Sequence, residues 1–532
     1  MPHAAPRIDA PSLKIIISDK NELAIIDVRE DGQFGLSHLL LAVSVPYSLL
    51  EARILPLVPR RAARMVLIDA NDGIADKAAI RLAALGYSDI SILEGGVESW
   101  DVAGFELFMG VNVPSKAFAE VVEHECGTPT ISAEELQAMF DSGDDLVVLD
   151  SRTPAEFNRM SIPNGINCPG AELAYRAHDL VPSPDTLIVV NCAGRTRSII
   201  GAQSLINAGV KNKIVSLQGG TQGWVLAGLD LDRGQTRGYG PVSPEGAQKA
   251  ETKAAHIKAK FNVISVSHET LAAWKTEDRT LYLFDVRDEE SYKSGHISGA
   301  LSAPGGQLVQ AMDLKAATRN ARVVLIDDAE IHATITAHWL LQMGWDVYVL
   351  EGGLGTATLE IGVPAPEDYA ASSDAAIETI SLENLADALK TGEAIAIDTD
   401  ISLDYRSTRL PGALWCNRAR LDQFIKTLPM DRQIVLYSEH ETRARLAIND
   451  VRALTDAPVK LLKGGREAWK KAGLPTEASP DVPKDEDCID FLFWVHDRHL
   501  GNEDSMRSYL AWEEQLPAQI EADGTAQYRI LS

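Results

Sequence analysis

Of five cysteines in 532 residues, Cys192 alone stands where a thiol could act as a nucleophile. It lies in Thr186-Leu-Ile-Val-Val-Asn-Cys192-Ala-Gly-Arg-Thr-Arg-Ser198, an apolar run that stops at a short basic loop and then opens a helix. Residues 187–190 are apolar and largely β-branched, the pattern of a buried strand. The spacing in Ser198-Ile-Ile-Gly-Ala-Gln-Ser-Leu-Ile-Asn-Ala-Gly209 predicts a helix stopped at Gly209. A cysteine at such a junction faces free backbone N–H groups and the positive end of a helix dipole. Both favour the thiolate, which is the nucleophilic form. Residues 192–197 are expected to form a small nest of backbone amides that holds an anion. A core position would be followed by apolar residues, whereas this loop is polar and basic.

The elements that position the loop emerge from an internal repeat. Four strands end in Asp: Ala24-Ile-Ile-Asp27-Val-Arg29, Val147-Val-Leu-Asp150-Ser-Arg152, Tyr282-Leu-Phe-Asp285-Val-Arg287 and Ile395-Ala-Ile-Asp398-Thr-Asp400. Each unit closes with a turn predicted to lead into an amphipathic helix: Glu94-Gly-Gly96 with Trp100, Gln218-Gly-Gly220 with Trp224, Glu351-Gly-Gly353, and Lys463-Gly-Gly465 with Trp469. Between them lies a second apolar strand, and the residue after it differs from copy to copy. Asp27 to Asp69, Asp150 to Cys192 and Asp285 to Asp327 are each 42 residues apart, and Asp398 to Ser438 is 40. Strands alternate with helical patterns throughout, so the expected class is α/β, with mainly parallel sheets covered by helices on both faces. Gly- and Pro-rich stretches, Arg233-Gly-Gln-Thr-Arg-Gly-Tyr-Gly-Pro-Val-Ser-Pro244 and Val363-Pro-Ala-Pro-Glu-Asp-Tyr-Ala-Ala-Ser-Ser373, read as linkers.

Composition narrows the function classes. Hydrophobic residues make up 45% and charged residues 24%, as in an ordinary globular protein of about four domains. A net charge of −26 argues against nucleic acid and against an anionic membrane as partner. Any anion site must therefore rest on local charge, as at Arg195 and Arg197. No segment approaches the ~20 apolar residues of a membrane span, and the start, Met1-Pro-His-Ala-Ala-Pro-Arg7, does not read as a signal peptide. Few cysteines and no C-x-x-C or H-E-x-x-H fit a reducing cytoplasm, with no disulfide frame, metal or cofactor expected. Gly353-Leu-Gly355 mimics part of a dinucleotide fingerprint but belongs to the closing turn of copy three.

Together, the D-x-R strand end, the stretch Gly295-His-Ile-Ser-Gly-Ala300, the cysteine loop and the closing G-G-x-x-x-W resemble the rhodanese family of sulfurtransferases. The resemblance covers roughly residues 8–478. It implies four tandem domains, at 8–110, 126–232, 260–364 and 376–478, followed by an extension at 479–532. In tandem members the N-terminal domain has lost its cysteine, often to Asp, and the C-terminal one keeps it. Copies one and two follow that plan with Asp69 and Cys192, and copies three and four look like a second pair, inactive with Asp327 and Ser438. The resemblance further implies that Cys192 carries a persulfide. A donor such as thiosulfate would be held by the amides of Ala193, Gly194, Thr196 and Ser198 and by the charges of Arg195 and Arg197, and cyanide or a thiol would accept the sulfur. Asp150 and Arg152 read as a structural ion pair supporting the loop.

Other readings compete. A cysteine phosphatase needs a seven-residue Cys-x5-Arg loop, and here the seventh place is Ser198. A sulfur carrier or scaffold without turnover is suggested by the three copies that lack the cysteine. In copy four, Glu439 and Glu441 are expected to repel an anion; Ser438 would need a base, for which His440 could be imagined, but the loop reads better as a degenerate remnant. Cys168 and Cys416 occupy a slot filled by Val45 and Ala303 elsewhere, so both read as packing residues. Cys126 and Cys488 carry no assigned role. The extension is rich in aromatic residues (Phe491, Phe493, Trp494, Tyr509, Trp512), is expected to be helical around residues 505–516, and offers a surface for a protein partner.

Overall fold

A computed structural model describes residues 5–355, 357–364, 377–429, 431–498 and 501–531. Most of the second Pro-rich linker, residues 365–373, lies outside the described residues. Each copy contributes five parallel strands with one spatial order. Numbered along the chain within a copy, that order is 1-5-4-2-3. In copy two it runs Thr130–Ile131, Ile214–Leu217, Leu187–Asn191, Leu146–Asp150, Ile166–Asn167. Copies one, three and four repeat it. The chain direction across the sheet reverses between strands 4 and 2, and the crevice outside their carboxyl ends is where open α/β sheets bind ligands. Cys192 follows strand 4, and Asp150 ends strand 2.

The constant spacing in the sequence is a statement of register. Asp27 pairs with Ile68, Asp150 with Asn191, Asp285 with Ile326 and Asp398 with Tyr437. In every copy the opening Asp therefore stands beside the residue just before the cysteine position. Copy four keeps this register although it is two residues shorter, so the deficit falls between the two strands. The strands are buried on both faces, as apolar runs between two helical layers must be.

The chain folds as two compact units, and the copies are not grouped as consecutive pairs. One unit holds residues 23–110 and 365–493, copies one and four; the other holds 111–364 and 494–532, copies two and three with the last part of the extension. Copies two and three share one apolar core, in which Phe118, Ile199, Leu205, Ile257, Ile335 and Trp339 are all buried. Two helices absent from the repeat plan, Val113–Cys126 and Pro244–Lys260, feed that core. Trp339 of copy three donates its indole N–H to Ser204 of copy two at 2.7 Å. Where Gly170 meets Gly306 a Cβ on the latter would lie 2.8 Å from the Gly170 nitrogen, so that contact requires glycine. Copies one and four are joined instead by buried charge: Arg418 is held by Glu51 at 2.6 and 2.8 Å and by Asp450 at 2.7 Å.

Two expectations shift in detail. Among the described residues copy three shows no helix after its closing turn; residues 351–355 form turns, and Leu359–Glu360 pairs antiparallel with His296–Ile297. The missing Trp of that copy's motif is the core anchor such a helix would bury, as Trp100, Trp224 and Trp469 are in the other copies. The extension forms a longer helix than expected, Glu503–Asp523, with Met506, Tyr509, Leu516 and Ile520 on its buried face. No described helix is long and apolar enough to cross a membrane.

Candidate functional site

Strand Leu187–Asn191 delivers Cys192 to the carboxyl edge of the sheet, and helix Thr196–Asn207 begins four residues later. Gly209 adopts φ +72° just past the helix, satisfying the stop expected there. Cys192 is 2% exposed, and its thiol donates to Ser198 Oγ at 3.5 Å, while Ser198 donates to the Arg195 carbonyl at 2.8 Å. Among the described residues, no acceptor meets the backbone N–H groups of residues 193–198. They are the unpaired donors of a loop and a first helical turn.

The other copies show what such a loop does with an anion. In copy one the Asp69 carboxylate accepts from the amides of Asn71, Gly73 and Ala75 at 2.9, 3.2 and 3.0 Å. In copy three Asp327 accepts from Glu330 and Ala333 at 2.6 and 3.2 Å. These amides correspond to positions within the Cys192 loop. Copies one and three thus carry a built-in anion where copy two has a thiol and open donors. Copy four differs again. Asp400 takes the place of the loop-supporting arginine, accepts the Glu439 amide at 2.6 Å and the Ser438 hydroxyl at 2.5 Å, and is balanced by Arg466 at 2.8 Å. Glu439 and Glu441 are engaged elsewhere, with the Glu467 amide and with Arg445, so the carboxylate set against the Ser438 loop is that of Asp400 more than those of the two glutamates.

The closing turn clamps the loop. Gly220 has φ +54°, and a Cβ there would sit 2.4 Å from the Cys192 carbonyl oxygen. The Thr221 amide donates to that carbonyl at 2.9 Å, and the Gln222 side chain donates to the Ala193 carbonyl at 3.0 Å. Gly96, Gly353 and Gly465 press on the equivalent carbonyls of Asp69, Asp327 and Ser438. The G-G motif is therefore part of the site as well as a turn. Below it, Arg152 forks onto Asp150, with Nε at 2.9 Å and Nη2 at 2.7 Å, and also donates to the Met160 carbonyl; Asn191 adds a bond to Asp150 at 2.8 Å.

Arg195 and Arg197 are both occupied by carboxylates. Arg195 donates twice to Glu120 at 2.8 Å, and to Glu123 at 2.5 Å and Glu514 at 3.2 Å. Arg197 donates to both oxygens of Glu156, at 2.7 and 2.8 Å. Burial alone would weaken both guanidinium groups, but these partners hold them above their ordinary range; the Cys192 charge adds a smaller contribution at Arg197. Glu156 is held down to about 2: burial raises it, and the bonds and charge of Arg197 outweigh that. The carboxylates on Arg195 come from helices Val113–Cys126 and Glu503–Asp523, which lie far away in the sequence and which no motif announces.

The extension reaches the loop itself. Thr196 donates to Glu513 at 3.4 Å, and a Cβ on Gly194 would lie 3.2 Å from Glu513 Oε2 and 3.8 Å from Leu510. Lys116 sits over the Tyr509 and Trp512 rings, and burial pushes its ammonium down to about 7. Of the remaining cysteines, Cys168 adjoins the site by its backbone alone, its amide donating to the Asp150 carbonyl at 2.8 Å. Cys168 and Cys416 are buried, and burial pushes the first well up and the second to about 12. Beside the loop lies a cavity of about 410 Å3 lined by Ala193, Arg152 and three further arginines, Arg159, Arg233 and Arg498, that the motifs did not single out.

The rhodanese-like domain pattern matches this chain four times, at residues 9–103, 132–227, 267–356 and 381–472. A thiosulfate sulfurtransferase from Pseudomonas aeruginosa, known from its crystal structure, is 41% identical; the match covers 99% of this chain and 100% of that one, with a TM-score of 0.91. A protein named "Sulfurtransferase" from Allochromatium vinosum is 27% identical over 116 residues, 22% of this chain and 96% of its own. "Putative sulfur carrier protein YrkF" from Bacillus subtilis is 28% identical over 102 residues, 19% of this chain and 54% of its own, so the match spans about half of that relative.

Proposed function

Because this chain belongs to the rhodanese-like domain family of sulfurtransferases, we propose that it moves a sulfane sulfur from thiosulfate, or a similar anionic donor, to cyanide or a thiol through a persulfide on Cys192. The observation that carries this reading is the contrast among loops. Residues 193–198 keep their amides free around a thiol, whereas copies one and three fill the same place with Asp69 and Asp327. The Cys192 thiolate attacks the outer sulfur of thiosulfate; a new S–S bond forms, the donor's S–S bond breaks, and sulfite leaves with the electron pair. The acceptor then attacks the outer persulfide sulfur, and the pair returns to Cys192 as thiolate. Amides aimed at the anionic sulfur stabilise the persulfide and the developing charge, as oxyanion-hole donors do. In this reading the amides of Ala193, Gly194, Thr196 and Ser198 hold the transferred sulfur. Arg195 and Arg197 fix the loop through their carboxylates, and Asp150 with Arg152 supports the neighbouring strand end. All five thiols are free, as a reducing compartment keeps them, and on that ground we propose a cytoplasmic location.

A donor panel with mass-spectrometric detection tests this. Thiosulfate should add one sulfur at Cys192, cyanide should remove it with repeated turnover, and Cys192→Ser should abolish both while leaving the fold intact. Serine at each of the other four cysteines should leave transfer in place apart from any loss of stability. Retained turnover in Cys192→Ser would sink the reading. One equivalent of persulfide with no turnover would favour a carrier, the alternative that the three copies without cysteine support.

A further inference from the structure

We infer that the cavity beside the Cys192 loop is the recognition site for the anionic end of the sulfur-bearing substrate, and that the C-terminal extension builds one wall of it. The inference rests on the sulfur-transfer reading above. The cavity opens next to Ala193, and at about 410 Å3 it belongs to the size range of small-molecule sites. Arg152 in its lining is neutralised by Asp150, but Arg159, Arg233 and Arg498 have no carboxylate partner among the described residues. Three guanidinium groups without a carboxylate in salt-bridge reach share one cavity in a chain of net charge −26; the lining carboxylate, Glu156, is bound to Arg197, and the Glu513 charge acts on Arg498 from beyond that reach. Nearly every other arginine near the loop is paired: Arg152 with Asp150, Arg195 with Glu120, and Arg197 with Glu156.

The origin of these residues matters. Arg159 comes from the helix after the D-x-R strand, whereas Arg233 and Arg498 lie outside the residues that match the family pattern. Arg498 is set in place by the extension. Its guanidinium carbon lies 3.5 Å from the centre of the Tyr509 ring, and its Nε donates to the Val495 carbonyl at 2.9 Å. That packing aligns the planar group, and with Glu513 acting on it only by charge at a distance, it leaves N–H donors that can meet a ligand. Met506, on the first turns of helix Glu503–Asp523, adds an apolar wall. A guanidinium cluster with apolar walls suits a small sulfur compound ending in sulfonate or carboxylate. That chemistry fits an inorganic donor such as thiosulfate and an organic thiol acceptor bearing carboxylates.

The full-length protein and its variants Arg159→Gln, Arg233→Gln and Arg498→Met provide the test. The donor arm varies thiosulfate at fixed cyanide; the acceptor arm varies a carboxylate-bearing thiol, glutathione, at fixed thiosulfate. In one arm KM should rise about tenfold for Arg498→Met and by a smaller factor for the two exposed arginines, because a charge-assisted contact is lost while kcat depends on the untouched loop. The arm that moves identifies the bound species. As a readout free of chemistry, calorimetric binding of thiosulfate and of glutathione to Cys192→Ser should weaken for one of them when the arginine changes are added. Circular dichroism checks that Arg498→Met keeps its fold; Arg159→Gln and Arg233→Gln, at the surface, decide the matter if it does not. Unchanged KM in both arms, with unchanged binding of both probes, would overturn the inference. A wild-type chain that binds these probes but forms no persulfide would instead count against the transfer reading alone.

Discussion

At the scale of the residue, the site is one thiol surrounded by donors that its sister copies have filled. Asp in place of Cys does more than remove a thiol: its carboxylate accepts the loop amides that copy two leaves without an acceptor. Arg195 illustrates why residue type alone misleads. A basic loop residue beside a nucleophile suggests a donor contact, yet Glu120, Glu123 and Glu514 already occupy this guanidinium. Arg195→Ala should therefore act mainly on stability. Glu120 would be left buried and unpaired, at a cost of about 2–4 kcal/mol. Chemical denaturation would register that loss, while KM for thiosulfate stays within about twofold. A tenfold rise in KM without loss of stability would return Arg195 to the donor site.

At the scale of the element, the loop is held between a strand end and a glycine turn. Gly220→Ala should disable transfer, since the new Cβ would meet the Cys192 carbonyl and the backbone at φ +54° disfavours alanine. The expected result is at least a hundredfold fall in kcat/KM with a folded protein by circular dichroism, because about 3 kcal/mol of misplaced donors is enough. Copy four tests the same design in reverse. A Cys192→Ser, Ser438→Cys double variant should show no transfer: Asp400 faces the new thiol, which raises its pKa, and already holds the Glu439 amide. Robust persulfide formation at position 438 would show that the support beneath the loop is unimportant.

At the scale of the molecule, the unit containing the site is copies two and three around one core. His332 ties them, its Nε2–H donating to Glu172 of copy two at 2.8 Å and its Nδ1 lying 3.7 Å from Asp327 of copy three. Burial opposes its charge, but Glu172 and Asp327 outweigh that and hold the imidazolium up to about 10. A pKa raised on folding stabilises the folded state fully below the unfolded value near 6.5, and that stabilisation is lost as pH rises through about 10. The unit's thermal midpoint should thus fall between pH 7 and 10. His332→Gln should lower stability at pH 7 by on the order of 3 kcal/mol and flatten that slope. An identical pH profile in wild type and variant would show that the pair contributes nothing.

The local order of the molecule was legible in the residues. The four strand ends in Asp, the spacing of 42 residues in three copies and 40 in the fourth, and the paired glycines depend on short-range rules: strand periodicity, register, and the positive φ that only glycine takes easily. Cys192 was legible for the same reason, because a strand, a loop and a helix start are contiguous in the chain. Other features depend on side chains distant in sequence, and only the tertiary structure decided them. Copy one folds with copy four, and copy two with copy three, because a shared apolar core or a buried charge cluster binds surfaces that each look like ordinary helix faces. The partners of Arg195, the glutamate laid against Gly194 and the arginines of the cavity come from four separate stretches, and no spacing rule connects them. Repetition along the chain specifies the unit four times over; which unit meets which, and where an arginine finds its carboxylate, follows from long-range packing that the repeat does not encode.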